Sequence, residues 1–368
     1  MIKAHTDVVG SLLRPPELLA ARDAFDRGEL DAAGLKRAED AAVDAAVALQ
    51  EDAGLDVITD GEMRRLSFQS GLPDAVDGFG EVPIEAYLWG DWKGEEVGDK
   101  ATDRPPGLGV KERLRRRRHL AVEDFVYLRS RANAVPKVTL TSPSLYANLW
   151  SPEVSADAYP TLDDFLADVT AITRDEVDEL ARLGCTYIQL DAPHYPLLID
   201  PATRAFYETR GWSVDEWLAR GLELDNAVID GHPGVTFGFH LCRGNQGSRW
   251  LVEGGYEPIA AAVFRGVHAD RLLLEYDDER SGSFQPLREV PDDKTVVLGL
   301  VSTKTSHMEN ADELVGRIEQ AARHIDRERL AVSPQCGFAT SVIGNSITPV
   351  AQRAKLELLA SVAERVWR

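Results

Sequence analysis

His240 and Cys242 stand two residues apart at the end of the apolar run Val235-Thr-Phe-Gly-Phe-His-Leu-Cys242. If that run is a strand, both side chains leave the same face, an imidazole beside a thiol. Two further donors close or follow later apolar runs: Glu275 ends Arg271-Leu-Leu-Leu-Glu275, and Cys336 follows Leu330-Ala-Val-Ser-Pro-Gln. Imidazole nitrogen, thiolate sulfur and carboxylate oxygen are the atoms zinc takes, usually four at a time, and catalytic sites keep a position for water or substrate. A lone His-x-Cys in a buried strand is more often a core histidine beside a small apolar thiol. Three strand ends carrying metal-ligand chemistry are harder to explain that way.

The elements that would position these residues follow from the hydrophobic pattern. Eight short apolar runs read as strands: His5–Gly10, Asp56–Asp60, Lys137–Thr141, Thr186–Asp191, Val235–Cys242, Arg271–Glu275, Thr295–Val301 and Leu330–Ser333. Amphipathic stretches fit between them, with Leu162–Leu183 behind a Thr161 cap, then Asn310–Ile325 and Val350–Val366. Eight such alternations predict a single α/β domain over residues 1–368, a (β/α)8 barrel. Residues 61–136 are too long for one crossover and predict an insertion over the barrel mouth, with a helix near Lys111–Arg131. A lid over the site and a contact between copies in a homo-oligomer are the two uses this insertion suggests. In a barrel the site lies where strands end, which gathers Ser11, Glu62, Asp191, His240, Cys242, Glu275 and Cys336 on one rim.

Composition narrows the function classes. With 41 basic against 61 acidic residues the formal charge is −20, which repels polyanions and argues against nucleic acid or anionic membranes as partners. The basic run Lys111-Glu-Arg-Leu-Arg-Arg-Arg-Arg118 reads as a solvated helix face. Three cysteines in 368 residues, with no secretion-signal pattern and no apolar segment of membrane-spanning length, argue against a disulfide framework and make a cytoplasmic location the expectation. Cys185, between a helix stop and a strand start, reads as the structural one.

Taken in order, Val9-Gly10-Ser11, Asp60-Gly61-Glu62, Tyr187-Ile-Gln-Leu-Asp191, His240-x-Cys242, Leu274-Glu275 and Pro334-Gln-Cys336-Gly337 resemble the motifs of the catalytic half of cobalamin-independent methionine synthase. The resemblance runs from near residue 5 to near 345. It implies a (β/α)8 barrel with Zn2+ held by His240, Cys242, Glu275 and Cys336. It also implies homocysteine as the thiol, its amine near Glu62 and Asp191 and its carboxylate near Gly10 and Ser11. Zinc suits this chemistry because it keeps a bound thiol as the nucleophilic thiolate at neutral pH. Two carboxylates suit an ammonium group.

Two departures from the family pattern bear on the methyl donor. This chain has no length for the additional barrel that helps hold polyglutamyl folate in the full synthase. The family's proton-donating histidine after the seventh strand is replaced, by spacing, by Lys304, with His307 three residues beyond. Lys304, His307 and Asp191 are therefore the candidate catalytic side chains, and either methylfolate or a methylcorrinoid protein the donor. A related reading is an epoxyalkane:coenzyme M transferase, in which Arg14 or Arg243 would serve the sulfonate. Uroporphyrinogen decarboxylase-like barrels work without zinc, so the ligands here count against that class. A closed structural zinc in a binding protein would use all four ligands and admit no thiol.

Overall fold

The computed structural model describes residues 2–82, 92–94, 107–209, 211 and 213–368. After the helix Ala32–Asp52, β1 is only two residues long, Val57–Ile58. Within the expected insertion, β2 (Val76–Glu81) and β3 (Leu108–Arg116) form an antiparallel ribbon, followed by a helix at Val122–Arg131. The chain then returns through β4 (Val135–Pro136), which pairs parallel with β1. Six strands follow: β5 (Val138–Thr141), β6 (Tyr187–Asp191), β7 (Thr236–Leu241), β8 (Arg271–Glu275), β9 (Thr295–Val301) and β10 (Leu330–Pro334). They form one parallel sheet in the order β10-β9-β8-β7-β6-β5.

Helices between these strands cover the sheet, which is why β6, β7, β8 and β10 are buried at every residue and read as continuous apolar runs. The helix Leu162–Arg182 starts where its sequence requires: Thr161 accepts from the Asp164 N–H, and the Asp164 side chain accepts from the Thr161 N–H. It buries Phe165, Leu166, Val169, Val177 and Leu180, each worth roughly 1.5–3 kcal/mol removed from water. Asn310, accepting the N–H groups of Asp312 and Glu313, and Thr348, accepting that of Ala351, cap the helices Ala311–Ala321 and Pro349–Trp367.

The structure corrects two expectations. Of the eight predicted strands, six form the sheet; among the described residues there is no closed barrel. The segment from His5 to Gly10 makes only a parallel bridge between Thr6 and Val332, and the run at 56–60 shrinks to β1. Side chains take over from the ladder at this seam. Asp56 accepts the backbone N–H of His5 and Thr6 at 2.9 and 3.0 Å, the Asp56 N–H donates to the Thr6 hydroxyl at 2.6 Å, and the Thr59 hydroxyl donates to the Gly10 carbonyl at 2.6 Å. Backbone groups satisfied by side chains do not need a strand partner.

The second correction is the basic run, which lies on β3 and the turn after it rather than on a helix. Pairing with β2 places Asp77 opposite Arg115, where the guanidinium reaches the carboxylate at 2.8 Å, while Arg113 reaches Asp168 at 3.3 Å. The helix begins only at Val122, where the Glu176 carboxylate accepts the N–H groups of Ala121 and Val122 at 2.7 and 2.9 Å. No helix among the described residues is long and apolar enough to cross a membrane.

Candidate metal and substrate site

Parallel register brings the carboxyl ends of neighbouring strands together. Thr141 pairs with Asp191, Asp191 with His240, and Glu275 with Gly299. His240 and Cys242 project from the end of β7, and Cys336 follows β10. The donor atoms of His240, Cys242 and Cys336 all lie within 4.8 Å of one another, and all three residues are buried. The two sulfurs are 3.9 Å apart. Two sulfurs bonded to one zinc at about 2.3 Å and a tetrahedral angle stand about 3.8 Å apart, whereas a disulfide would bring them to about 2.05 Å. Neither ring nitrogen of His240 has a hydrogen-bond partner. A buried imidazole with both nitrogens open is costly unless something fills it, so the donor set and its unmet valence fit a zinc ion.

The charges agree with this. The hydrogen bond from Cys336 holds Cys242 well below the ordinary thiol range, against the opposing effect of burial, and Cys336 is raised in turn. Burial disfavours the His240 cation, but the neighbouring Cys242 thiolate outweighs it and the imidazole is raised. One thiolate is thus already favoured in this cluster. Cys185, by contrast, is pushed up to about 12 by burial and lies apart, its thiol facing the Tyr187 carbonyl.

The fourth expected ligand stands differently. Glu275 is fully buried, and both of its oxygens are engaged: one accepts the Arg243 backbone N–H at 2.6 Å, the other faces Arg280 at 3.0 Å and Lys304 at 3.4 Å. Burial would raise its carboxyl, but Lys304, Arg280 and Arg243 together lower it to about 2. Lys304 also faces Asp277 at 3.7 Å, and these carboxylates keep its ammonium above the ordinary range despite burial. His307, on the same loop, is exposed and outside the cavity lining. The structure therefore gathers three of the four expected ligands in one cluster and places Glu275 in an adjoining ion cluster with Arg280 and Asp277, which the sequence reading did not single out.

A cavity of about 560 Å³ opens onto the metal cluster, with Gly10, Ser11, Glu62, Asp191 and Gly337 among its lining residues. Glu62 follows Gly61 in a turn where both residues have positive φ, +55° and +69°. Arg14 and the Asp60 carboxylate fix this turn, the one donating to the Glu62 carbonyl at 3.0 Å and the other accepting its N–H at 2.9 Å. Gly10 must lack a side chain, since a Cβ there would come within 2.7 Å of a Glu62 carboxylate oxygen. The Glu62 Oε1 accepts from the Thr139 hydroxyl at 2.8 Å, and Oε2 is buried without a partner. Asp191 accepts from Gln189 at 2.7 Å; burial pushes its carboxyl up to about 7, with His240 opposing and Glu62 reinforcing the shift. Thr139 and Gln189 were missed in the sequence, although the i, i+2 spacing of Gln189 and Asp191 puts them on one strand face.

The two arginines suggested for an anionic substrate are committed elsewhere. Arg243 donates to the carbonyls of Gly254, Glu275 and Ser281, and Arg14 to those of Ala339, Glu62 and Arg65. Among the described residues that line the cavity, the charged side chains are Glu62, Asp74 and Asp191, with His240 the sole basic residue type.

A parallel α/β sheet whose strand ends hold a His/Cys/Cys cluster beside two buried carboxylates defines the class. The chain belongs to the family of the cobalamin-independent synthase catalytic domain, whose model matches residues 4–356. This methionine synthase-like enzyme family supports a methyltransferase role. The chain is similar to the Bacillus subtilis uncharacterized protein YxjH, 34% identical over 371 residues that span 99% of this chain and 95% of that one. The methionine synthase of Pyrococcus abyssi is 25% identical over 334 residues, 90% of this chain and 86% of that one. The structure of a B12-independent methionine synthase from Shewanella sp. W3-18-1, in complex with selenomethionine, has the same fold, with a TM-score of 0.73 at 20% identity over 100% of this chain and 98% of that one.

Proposed function

We propose that this chain is a zinc-dependent methyltransferase that converts homocysteine to methionine. The observation that carries the proposal is the juxtaposition, on one cavity, of three buried metal donors with unmet valence and two buried carboxylates with capacity for an ammonium group. Zinc held by His240, Cys242 and Cys336, with Glu275 as the neighbouring carboxylate of the set, would keep the substrate thiol in its thiolate form. Glu62 and Asp191 bind and orient the amine; the Gly10 backbone and Ser11 hydroxyl receive the carboxylate. The substrate sulfur then attacks the methyl carbon, and the bond from that carbon to the carrier breaks. Lys304, buried beside Glu275, and exposed His307 are the proton-bearing side chains that the loop after β9 offers to the leaving group. Methylfolate or a methylcorrinoid protein is the donor on this reading. We also propose that the sheet is rolled into a (β/α)8 barrel, supported by the Thr6–Val332 bridge at β10 and by the Lys137 N–H donating to the Ile58 carbonyl at 2.8 Å beside β5.

The test is a matrix assay of zinc-loaded protein with homocysteine or coenzyme M against methylfolate, methylcobalamin and epoxypropane. Methionine from one of the methyl donors is the expected product; alkylation of coenzyme M alone would replace this reading with the epoxide-opening one. Asp191→Asn removes a charge-assisted hydrogen bond of roughly 1.5–3 kcal/mol and should weaken homocysteine about tenfold or more, leaving a sulfonate thiol unaffected.

A further inference from the structure

Each carboxylate proposed for the amine is reached by a buried cation through one neutral side chain. Behind Glu62 stands Arg65, which donates to the Thr139 hydroxyl at 3.0 Å and lies 3.7 Å from the carboxylate itself. The arrangement behind Asp191 is longer and more constrained. Alternate residues of β5 and β6 share the same inner face, and register sets Thr139 beside Gln189 and Thr141 beside Asp191. Lys137, one residue before β5, is buried with its ammonium 2.7 Å from Asp7 and 2.6 Å from the Gln189 oxygen, and it also donates to the Val8 carbonyl. An ammonium has only hydrogens to give, so it forces the Gln189 amide to turn its oxygen inward. The amide NH2 must then point the other way, where it donates to the Val9 carbonyl and to Asp191, each at 2.7 Å. The Val9 carbonyl can only accept, as the ionised Asp191 does, so the amide orientation is fixed from either end.

We propose that Lys137 is a positioning residue for amine specificity: through Gln189 it presents Asp191 as a hydrogen-bond acceptor for the ammonium of an amino-acid thiol. The inference rests on the homocysteine reading. Its logic is that a lysine paired directly with Asp191 would satisfy the charge the substrate must meet, whereas an interposed amide transmits orientation and leaves the carboxylate for the ligand. Lys137 is paired with Asp7, whose other oxygen accepts from the Tyr187 hydroxyl at 2.7 Å and faces the buried Arg271 guanidinium at 3.5 Å. Asp7 thus anchors the ammonium on the side away from Asp191.

Calorimetric titration of zinc-loaded protein with L-homocysteine and with 4-mercaptobutanoate, which lacks the amine, tests this without a methyl donor. Gln189→Met and Lys137→Met should each weaken homocysteine about tenfold, the loss of one hydrogen bond to a charged group, and leave 4-mercaptobutanoate within about twofold. Because Lys137 acts through Gln189, the double variant should bind homocysteine no more weakly than Gln189→Met alone. An unchanged homocysteine affinity in Gln189→Met, equal losses for both thiols, or additive losses in the double variant would overturn the relay. Gln189→Met keeps the Lys137–Asp7 pair and decides the matter even if Lys137→Met does not fold. Asp191→Asn, titrated alongside, separates the two levels: a loss there with none in Gln189→Met sinks the relay and spares the homocysteine reading, while no loss in Asp191→Asn sinks both.

Discussion

Ser144, His194 and Asp225 have the residue types of a nucleophilic triad, and His240, Cys242 and Cys336 those of a metal site; both groups are buried. They differ in whether a ligand can reach the atoms left open: His194 Nδ1, like both His240 nitrogens, is buried without a partner, but only His240 lines the cavity. The Ser144 hydroxyl lies 2.8 Å from His194 Nε2 and 3.0 Å from Asp225, which also accepts from Ser142 at 2.7 Å and Tyr195 at 2.8 Å. Asp225 thus holds hydroxyls rather than the imidazole, so nothing orients His194 as a base in the manner of a working triad. Burial alone drops His194 to about 3, and none of these side chains lines the cavity. The metal cluster has open nitrogens, a favoured thiolate and a place on the cavity wall. Reactive residue types become a site when valence is unmet and a ligand can arrive.

The contrast can be broken most directly at the metal. Cys242→Ser and Cys336→Ser should each lower zinc affinity a hundredfold or more, because a hydroxyl is a poor zinc ligand, while Cys185→Ser keeps it. Metal content after dialysis, read by mass spectrometry, decides; full zinc in Cys242→Ser would place both clusters on the same footing.

At the second cluster the expected signature is a pH dependence of stability. Burial raises the Asp225 carboxyl to about 6, against the opposing hydrogen bonds of Ser142, Tyr195 and Ser144. Its unfolded value is lower, near 4, so between these limits the folded chain holds a proton that the unfolded chain releases. Stability from this group is therefore present below pH 4 and falls as pH rises to 6, by about 3 kcal/mol for two units at about 1.36 kcal/mol each. Asp225→Asn should lack that fall, so urea unfolding at pH 4 and pH 6 should show the variant gaining on the wild type. Parallel curves would mean that Asp225 does not take up a proton in the fold. Ser144→Ala is the smaller test: a stability loss of about 1–2 kcal/mol in the same unfolding measurement, with zinc content and homocysteine affinity unchanged. A drop in thiol binding would give this network a part in the chemistry.

The pairing of His240 with Cys242 was legible because period-2 spacing puts them on one face whatever surrounds them; the same spacing joins Gln189 to Asp191, but an amide in an apolar run gives no signal of its own. The seam at the first two predicted strands was not, because hydrogen bonding by Thr6, Asp56 and Thr59 side chains leaves no mark in an apolar pattern. The basic run misled for a related reason: the apolar residues Val110, just before it, and Leu114, within it, stand four apart, a helical spacing, and the deciding partner, Asp77, lies 38 residues from Arg115. Glu275 was expected among metal ligands from its place at a strand end. Its link to Arg280 and Lys304 depends on loops that no local rule orients.

The left-handed backbone at Glu62 has a consequence for how this chain can change. A non-glycine residue at φ +55° costs on the order of 1 kcal/mol or more, and here that strain adds to the desolvation of a carboxylate whose Oε2 has no partner. Glu62→Gly should relieve that strain but strip the buried Arg65 guanidinium of the carboxylate 3.7 Å away, so it should lose affinity for homocysteine with no gain in unfolding temperature. Backbone strain and ion pairing offset each other at a single residue, so this position can keep glutamate at little net cost to the fold.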